Sequence, residues 1–192
     1  MQKRTRRTLA AVGVAAAVVV AAPLAVAQAG ETTSSEETLA ARPAFKMPFK
    51  CGQRWRGANW EGHSPGHSID WNHYNAAGTP DDLGRKVLAS AGGKVLDSYY
   101  SKTTGYGNTI VIGHGNDWQT RYAHLKTRAV QKGATVKAGQ LIGKVGKTSA
   151  KYELSPHLHY EQIHGGSTVV SVVQGVKYPD FTTRFQVSKN GC

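Results

Sequence analysis

The chain has 192 residues, with 24 Lys plus Arg against 12 Asp plus Glu and a formal net charge of +12 at neutral pH. That length suits one domain with its own core, and the basic balance favours polyanionic partners. No run of a dozen residues carries a 3.6-residue apolar period, which argues against a helical architecture. Neither a recognition helix nor an aromatic nucleic-acid motif accompanies the charge, which argues against a specific nucleic-acid reader.

Residues 1–29 read as a secretory signal peptide. Lys3, Arg4, Arg6 and Arg7 form a basic start, and Leu9 to Ala27 is an uncharged run of mostly Ala, Val and Leu. Ala25-Val26-Ala27 and Ala27-Gln28-Ala29 are two overlapping Ala-x-Ala exits, as signal peptidase requires. The run approaches the ~20 residues that span a bilayer. Alanine-rich segments are only weakly hydrophobic, however, so cleavage is expected, leaving no membrane anchor and a secreted, wall-associated product. Removing residues 1–30 takes away four basic and no acidic residues, leaving a net charge of +8. Outside a cell, anionic wall polymers are among the polyanions such a surface meets.

Residues 30–46 are small and polar without an apolar period, and they read as a flexible leader. Residues 47–192 then form one domain. Its two cysteines, Cys51 and Cys192, are the only ones in the chain, and in an exported protein they are expected to pair.

Short apolar or alternating runs punctuated by glycine follow: Lys86 to Ala89, Gly93 to Tyr99, Asn108 to Gly113, Gln119 to Leu125, Leu141 to Val145, His157 to Ile163 and Thr168 to Val173. These predict strands. Gly92-Gly93, Gly105-Tyr106-Gly107, Gly115-Asn116-Asp117 and Gly165-Gly166 supply turns between them. The expected fold class is all-β, an antiparallel sandwich or barrel-like single domain.

Two of these runs carry histidines. Strand alternation puts His157, His159 and Glu161 on one face, with Leu158 and Tyr160 behind. In Tyr122-Ala123-His124-Leu125 it puts Tyr122 with His124. If the two strands are neighbours, three imidazoles meet over one sheet. Imidazole with carboxylate is a ligand set suited to catalytic zinc, which takes about three protein ligands and an open position for water.

The chain resembles the lysostaphin and LytM-type zinc endopeptidases of bacterial cell walls. The likeness lies in His63 with Asp70, Tyr122 to Leu125, Val136-Lys137-Ala138-Gly139-Gln140-Leu141-Ile142-Gly143, and His157-Leu158-His159, in that order. It implies a zinc site in a groove, with ligands His63, Asp70 and His159 and with His124 and His157 flanking the open side. It assigns His157 as general base and His124 as oxyanion stabiliser, roles that could be exchanged. The implied substrate is a peptidoglycan stem peptide or cross-bridge, cut by a monomer. The alternative is an inactive wall-binding or regulatory module of the same fold.

One departure stands out. The commonest family form places a histidine four residues before the aspartate, where this chain has Gly66. His63 lies seven before Asp70 and His67 three before. His63 is preferred because Gly62-His63-Ser64-Pro65 offers a turn that aims the ring inward, with His67 as the alternative.

Other polar residues take plainer readings. His73 and His164 are expected at exposed strand ends, His114 in a turn, and Asp81-Asp82 in a solvated turn after Pro80. Tyr106 and Trp118 are expected as a cleft wall or as packing. Asn59 is the nearest match to the inhibitory ligand of latent relatives.

Overall fold

The computed structural model describes residues 41–192. The expected signal peptide and the first part of the leader lie outside the described residues. Within them the secondary structure is all strand: β1 Arg54–Ala58, β2 Ile69–His73, β3 Lys86–Leu88, β4 Gly93–Ser101, β5 Gly107–Gly113, β6 Trp118–Ala123 and β7 Thr127–Arg128. The second half adds β8 Thr135–Val136, β9 Leu141–Lys144, β10 Leu158–His164, β11 Ser167–Val169, β12 Ser171–Val173, β13 Val176–Tyr178 and β14 Thr183–Val187.

Every ladder is antiparallel, as expected. Nine strands form one sheet in the order β14-β1-β2-β10-β6-β5-β4-β8, with β11 beside β10. β3-β9-β7 make a second sheet and β12-β13 a third. The core joins Trp55, Trp71, Ile110, Tyr122 and Tyr160 of the large sheet to Val87 and Ile142 of the three-stranded one. Burying such large apolar side chains is the dominant favourable term in folding. Gly57 shows how tightly β1 is packed. An added Cβ would sit 2.8 Å from both Trp71 Cζ3 and Tyr178 Cε1, so only glycine fits.

Cys51 and Cys192 are joined, their Cα atoms 5.2 Å apart. Side-chain hydrogen bonds clamp the same tail, because Asn190 Nδ2 donates to Met47 O and Ala89 O at 2.8 and 3.0 Å. The end of the leader also packs: Phe45 is buried, and Arg42 Nη1 donates to Val170 O at 2.8 Å.

Four expectations need correction. β1, β2, β7, β8, β13 and β14 lie outside the predicted runs; Gly57 interrupts β1 and β2 lacks glycine punctuation, yet these two pair with each other and β2 pairs with β10. Thr168 to Val173 is not one strand: β11 pairs with β10 and β12 with β13. Asp82 is buried rather than solvated, because its carboxylate ends β2, accepting from His73 N at 2.5 Å and Asn72 Nδ2 at 3.0 Å. His73 is half-buried, its Nδ1 2.5 Å from Asp81 Oδ1.

Candidate metal centre

Register brings the site residues together. Asp70 on β2 stands opposite Ala58 on one side and His159 on the other, and His159 stands opposite Ala123 of β6. Asp70 and His159 are therefore direct cross-strand neighbours, fixed by the ladders rather than by loops. His63 reaches them from the β1–β2 connection. The donor atoms of His63, Asp70 and His159 all lie within 4.8 Å of one another.

The far nitrogen of each ring is occupied. His63 Nδ1 lies 3.3 Å from Ser68 Oγ, whose hydroxyl donates to Pro65 O, so Nε2 faces Asp70 Oδ1 at 3.2 Å. His159 has Nδ1 3.0 Å from Asp70 Oδ1 and Nε2 3.0 Å from Glu161 Oε1. Anchoring the outer N–H fixes which nitrogen a metal would meet. Two imidazoles and a carboxylate converging in this way fit zinc. His67 is not part of the group: its φ of 66° turns the ring to Asp180, with Nδ1 2.8 Å from Oδ2.

The charges agree with a cation site. Burial pushes the Asp70 carboxyl up, but hydrogen bonds from His159 and His63 outweigh it and hold it below the ordinary carboxylate range. Burial alone would lower His159, yet the carboxylates of Asp70 and Glu161 raise it to about 9. Glu161 is pulled down to about 2, because the pull of His159 and Arg121 exceeds its burial penalty. This glutamate connects the site to a wall of the groove. Arg121, its cross-strand partner, donates from Nη1 to Glu161 Oε2 at 2.8 Å and to Tyr106 OH at 2.9 Å. The sequence put Glu161 on the right face but gave it no role. Partners of this kind are worth roughly 10- to 100-fold in metal affinity. Glu161→Gln should therefore bind a divalent ion about that much more weakly in a titration against a chromophoric chelator. Unchanged affinity would assign Glu161 to packing alone.

His124 and His157 flank the group, their ring centres 4.7 Å apart. Both are anchored alike. His124 Nδ1 donates to Thr148 O at 2.9 Å and His157 Nδ1 to Ser155 O at 2.8 Å, so that neither Nδ1 is available to the group. His157 Nε2 lies 3.4 Å from Asp70 Oδ2. Burial, with the rings of His157 and His159 facing it, lowers His124 to about 4, so it is neutral at ordinary pH. The expected pairing of Tyr122 with His124 on one face fails. β6 ends at Ala123, and the positive φ of His124, 59°, swings its ring out of the alternation. Tyr122 stays in the core while His124 turns to the groove. Gly146 underlies the turn, where an added Cβ would fall 2.2 Å from Lys126 N.

The five residues line one groove of about 750 Å³, walled by Trp60, Tyr106 and Tyr152. Trp60 stacks on His63 with ring centres 4.3 Å apart. Trp118 instead packs away from the groove against Phe45 and His164. His114 bonds to Gly92 O and Thr120 Oγ1, each at 2.8 Å. Asn59 is a structural brace, donating to Ser68 O at 2.7 Å and accepting from Phe181 N at 3.2 Å.

Comparison with known proteins gives three results. Residues 75–171 match the family model described as peptidase family M23. That stretch includes His124, His157 and His159 but not His63 or Asp70. Among curated proteins, the chain is 37% identical over 99 residues to the DD-carboxypeptidase/endopeptidase Mpg of Neisseria meningitidis serogroup B, covering 52% of this chain and 22% of that one. It is 37% identical over 86 residues to the murein hydrolase activator NlpD of Escherichia coli, covering 45% and 22%. The matches thus span about a fifth of these relatives' lengths. Among solved structures, pseudoalterin, a deep-sea M23 metalloprotease, superposes with a TM-score of 0.56 at 19% identity, covering 78% of this chain and 96% of that one, a likeness of fold.

Proposed function

The chain belongs to peptidase family M23, and from that premise we propose that it is a secreted zinc metalloendopeptidase hydrolysing peptide bonds in bacterial peptidoglycan. The observation that carries this reading is the convergence of His63, Asp70 and His159 within 4.8 Å, with two further histidines beside them, each braced through Nδ1 on a backbone carbonyl.

His63, Asp70 and His159 would hold the zinc, which when bound lowers the pKa of water and polarises a carbonyl. The chain's own residues do the rest. His157, braced on Ser155 O, takes the proton of the attacking water at Nε2 and returns it to the leaving amine. His124, which burial keeps neutral, takes a proton at Nε2 from the solvent of the groove as negative charge grows beside it, donates it to the oxyanion of the tetrahedral intermediate as a hydrogen bond, and releases it to solvent when the intermediate collapses. Trp60, Tyr106 and Tyr152 confine an extended peptide between aromatic walls.

The likeness to NlpD favours one second reading, an inactive regulatory module. The complete set of five residues weighs against it. Purified protein should contain about one zinc per chain and cut cross-linked stem peptides. It should lose that activity to a chelator and regain it with added zinc. Metal-free protein that cleaves at full rate would overturn the zinc reading, and zinc-loaded protein that cleaves nothing would favour the regulatory one.

A further inference from the structure

Arg56 lies at the groove's edge with nothing to neutralise it. On β1 the residues Trp55 and Gly57 face the core, so Arg56 and Ala58 face the groove. Ala58 stands opposite the ligand candidate Asp70, and Arg56 stands one row further on, opposite Asn72. Continuing the β2–β10 ladder one step past Leu158 and Trp71 sets His157 in the same row, and Asn72 Nδ2 donates to Pro156 O there at 3.3 Å. Arg56 and His157 are thus two strands apart, roughly 10 Å at the usual strand spacing. That distance is about three residues of extended peptide between backbones, and less once the arginine side chain reaches inward.

Among the described residues, the Arg56 side chain makes no hydrogen bond or ion pair, and its Nε is buried without a partner. Its one aromatic neighbour is Tyr74, 5.8 Å from the guanidinium carbon to the ring centre. Asp70 is the sole carboxylate lining the groove, and His63 and His159 already engage it. Elsewhere, Asp82 and Glu161 are committed to Asn72 and Arg121. A guanidinium is a planar fork matched to a carboxylate, and leaving it half-buried and unpaired in a substrate groove is costly unless substrate supplies the partner.

We propose that Arg56 forms a carboxylate-binding subsite, receiving a free carboxylate of the peptide one or two residues from the scissile bond. This deepens the peptidase reading and rests on it. It makes the preferred substrate a peptide bearing a free carboxylate near the cut, rather than a neutral glycyl bridge.

The test uses three probes: a D-alanyl-D-alanine-terminated stem peptide, its C-terminal carboxamide, and a cross-linked peptide, amidated at its terminus, whose only free carboxylate is on a branch. Binding is measured by calorimetry on zinc-loaded protein carrying His157→Ala, which suppresses turnover, with and without Arg56→Met or Arg56→Lys. With Arg56 present, at least one carboxylate probe should bind roughly tenfold or more tighter than the carboxamide. Arg56→Met should bring that ratio to about one, and Arg56→Lys should keep part of it. The terminal and branched arms tell which carboxylate is read. Equal binding of all three probes, or the same preference with and without Arg56, overturns the subsite. Binding is read without turnover, so discrimination through Arg56, together with zinc-loaded protein that retains His157 and still cleaves none of the probes, would refute the peptidase reading and leave the subsite standing.

Discussion

Replacing His159 with alanine should abolish zinc binding and lower kcat/KM by about a thousandfold or more, since the metal contributes several kcal/mol of transition-state stabilisation. His159 is buried between two carboxylates, 3.0 Å from each. Its loss removes the imidazole that bridges Asp70 and Glu161, leaving Asp70 with His63 and His157 and Glu161 with Arg121, and breaking such a buried pairing costs about 3–5 kcal/mol. A lower melting temperature should therefore accompany the lost activity. His157→Ala separates the two effects. That residue is partly exposed and touches the group only at its edge, 3.4 Å from Asp70 Oδ2. The variant should keep its zinc and its melting temperature while kcat falls by about 10²–10⁴-fold, the usual contribution of a general base. Zinc content by atomic emission, thermal melts and peptide turnover on both variants check the pattern. A His159→Ala protein that still carried stoichiometric zinc would place the metal elsewhere.

The second large effect concerns the disulfide. Cys51 and Cys192 are 141 residues apart, and closing so long a loop is worth about 5 kcal/mol on the chain-entropy model. For a domain of this size that corresponds to a drop of about 10–20 °C in melting temperature. Reducing the protein, or changing both cysteines to serine, should show the drop in calorimetry. Activity at low temperature should survive, because neither cysteine lines the groove and Ser188 and Asn190 still tie the tail to Phe49, Met47 and Ala89. A shift of only a degree or two would mean that those hydrogen bonds already hold the tail, leaving the bridge redundant.

How far each residue could be read from sequence depended on what places it. His157, His159 and Glu161 share a face because strand alternation is a local property, and β10 keeps that alternation. His124 misled, since one left-handed backbone angle at the end of β6 is a tertiary accommodation with no glycine to announce it. Asp82 misled in the other direction. Two adjacent aspartates after a proline look solvated, and only the folded end of β2 supplies the amide donors that bury one of them. Arg56 was invisible because β1 is short and holds a glycine. Its meaning comes from the residues that stand beside it, not from the segment itself.

By itself the sequence determined the all-β class, the cysteine pair and four of the five residues that surround the groove, Asp70, His124, His157 and His159. Periodicity, composition and motif order are local signals that survive without coordinates. Only the tertiary structure decided that His63 rather than His67 meets Asp70, that Glu161 holds the far side of His159, and that Arg56 stands unpaired two strands from His157. The first depends on the path of the β1–β2 connection, which turns His67 to Asp180, and the second on the side-chain packing around His159. The third depends on strand order and register, which bring Arg56 and His157, about a hundred positions apart, into one row.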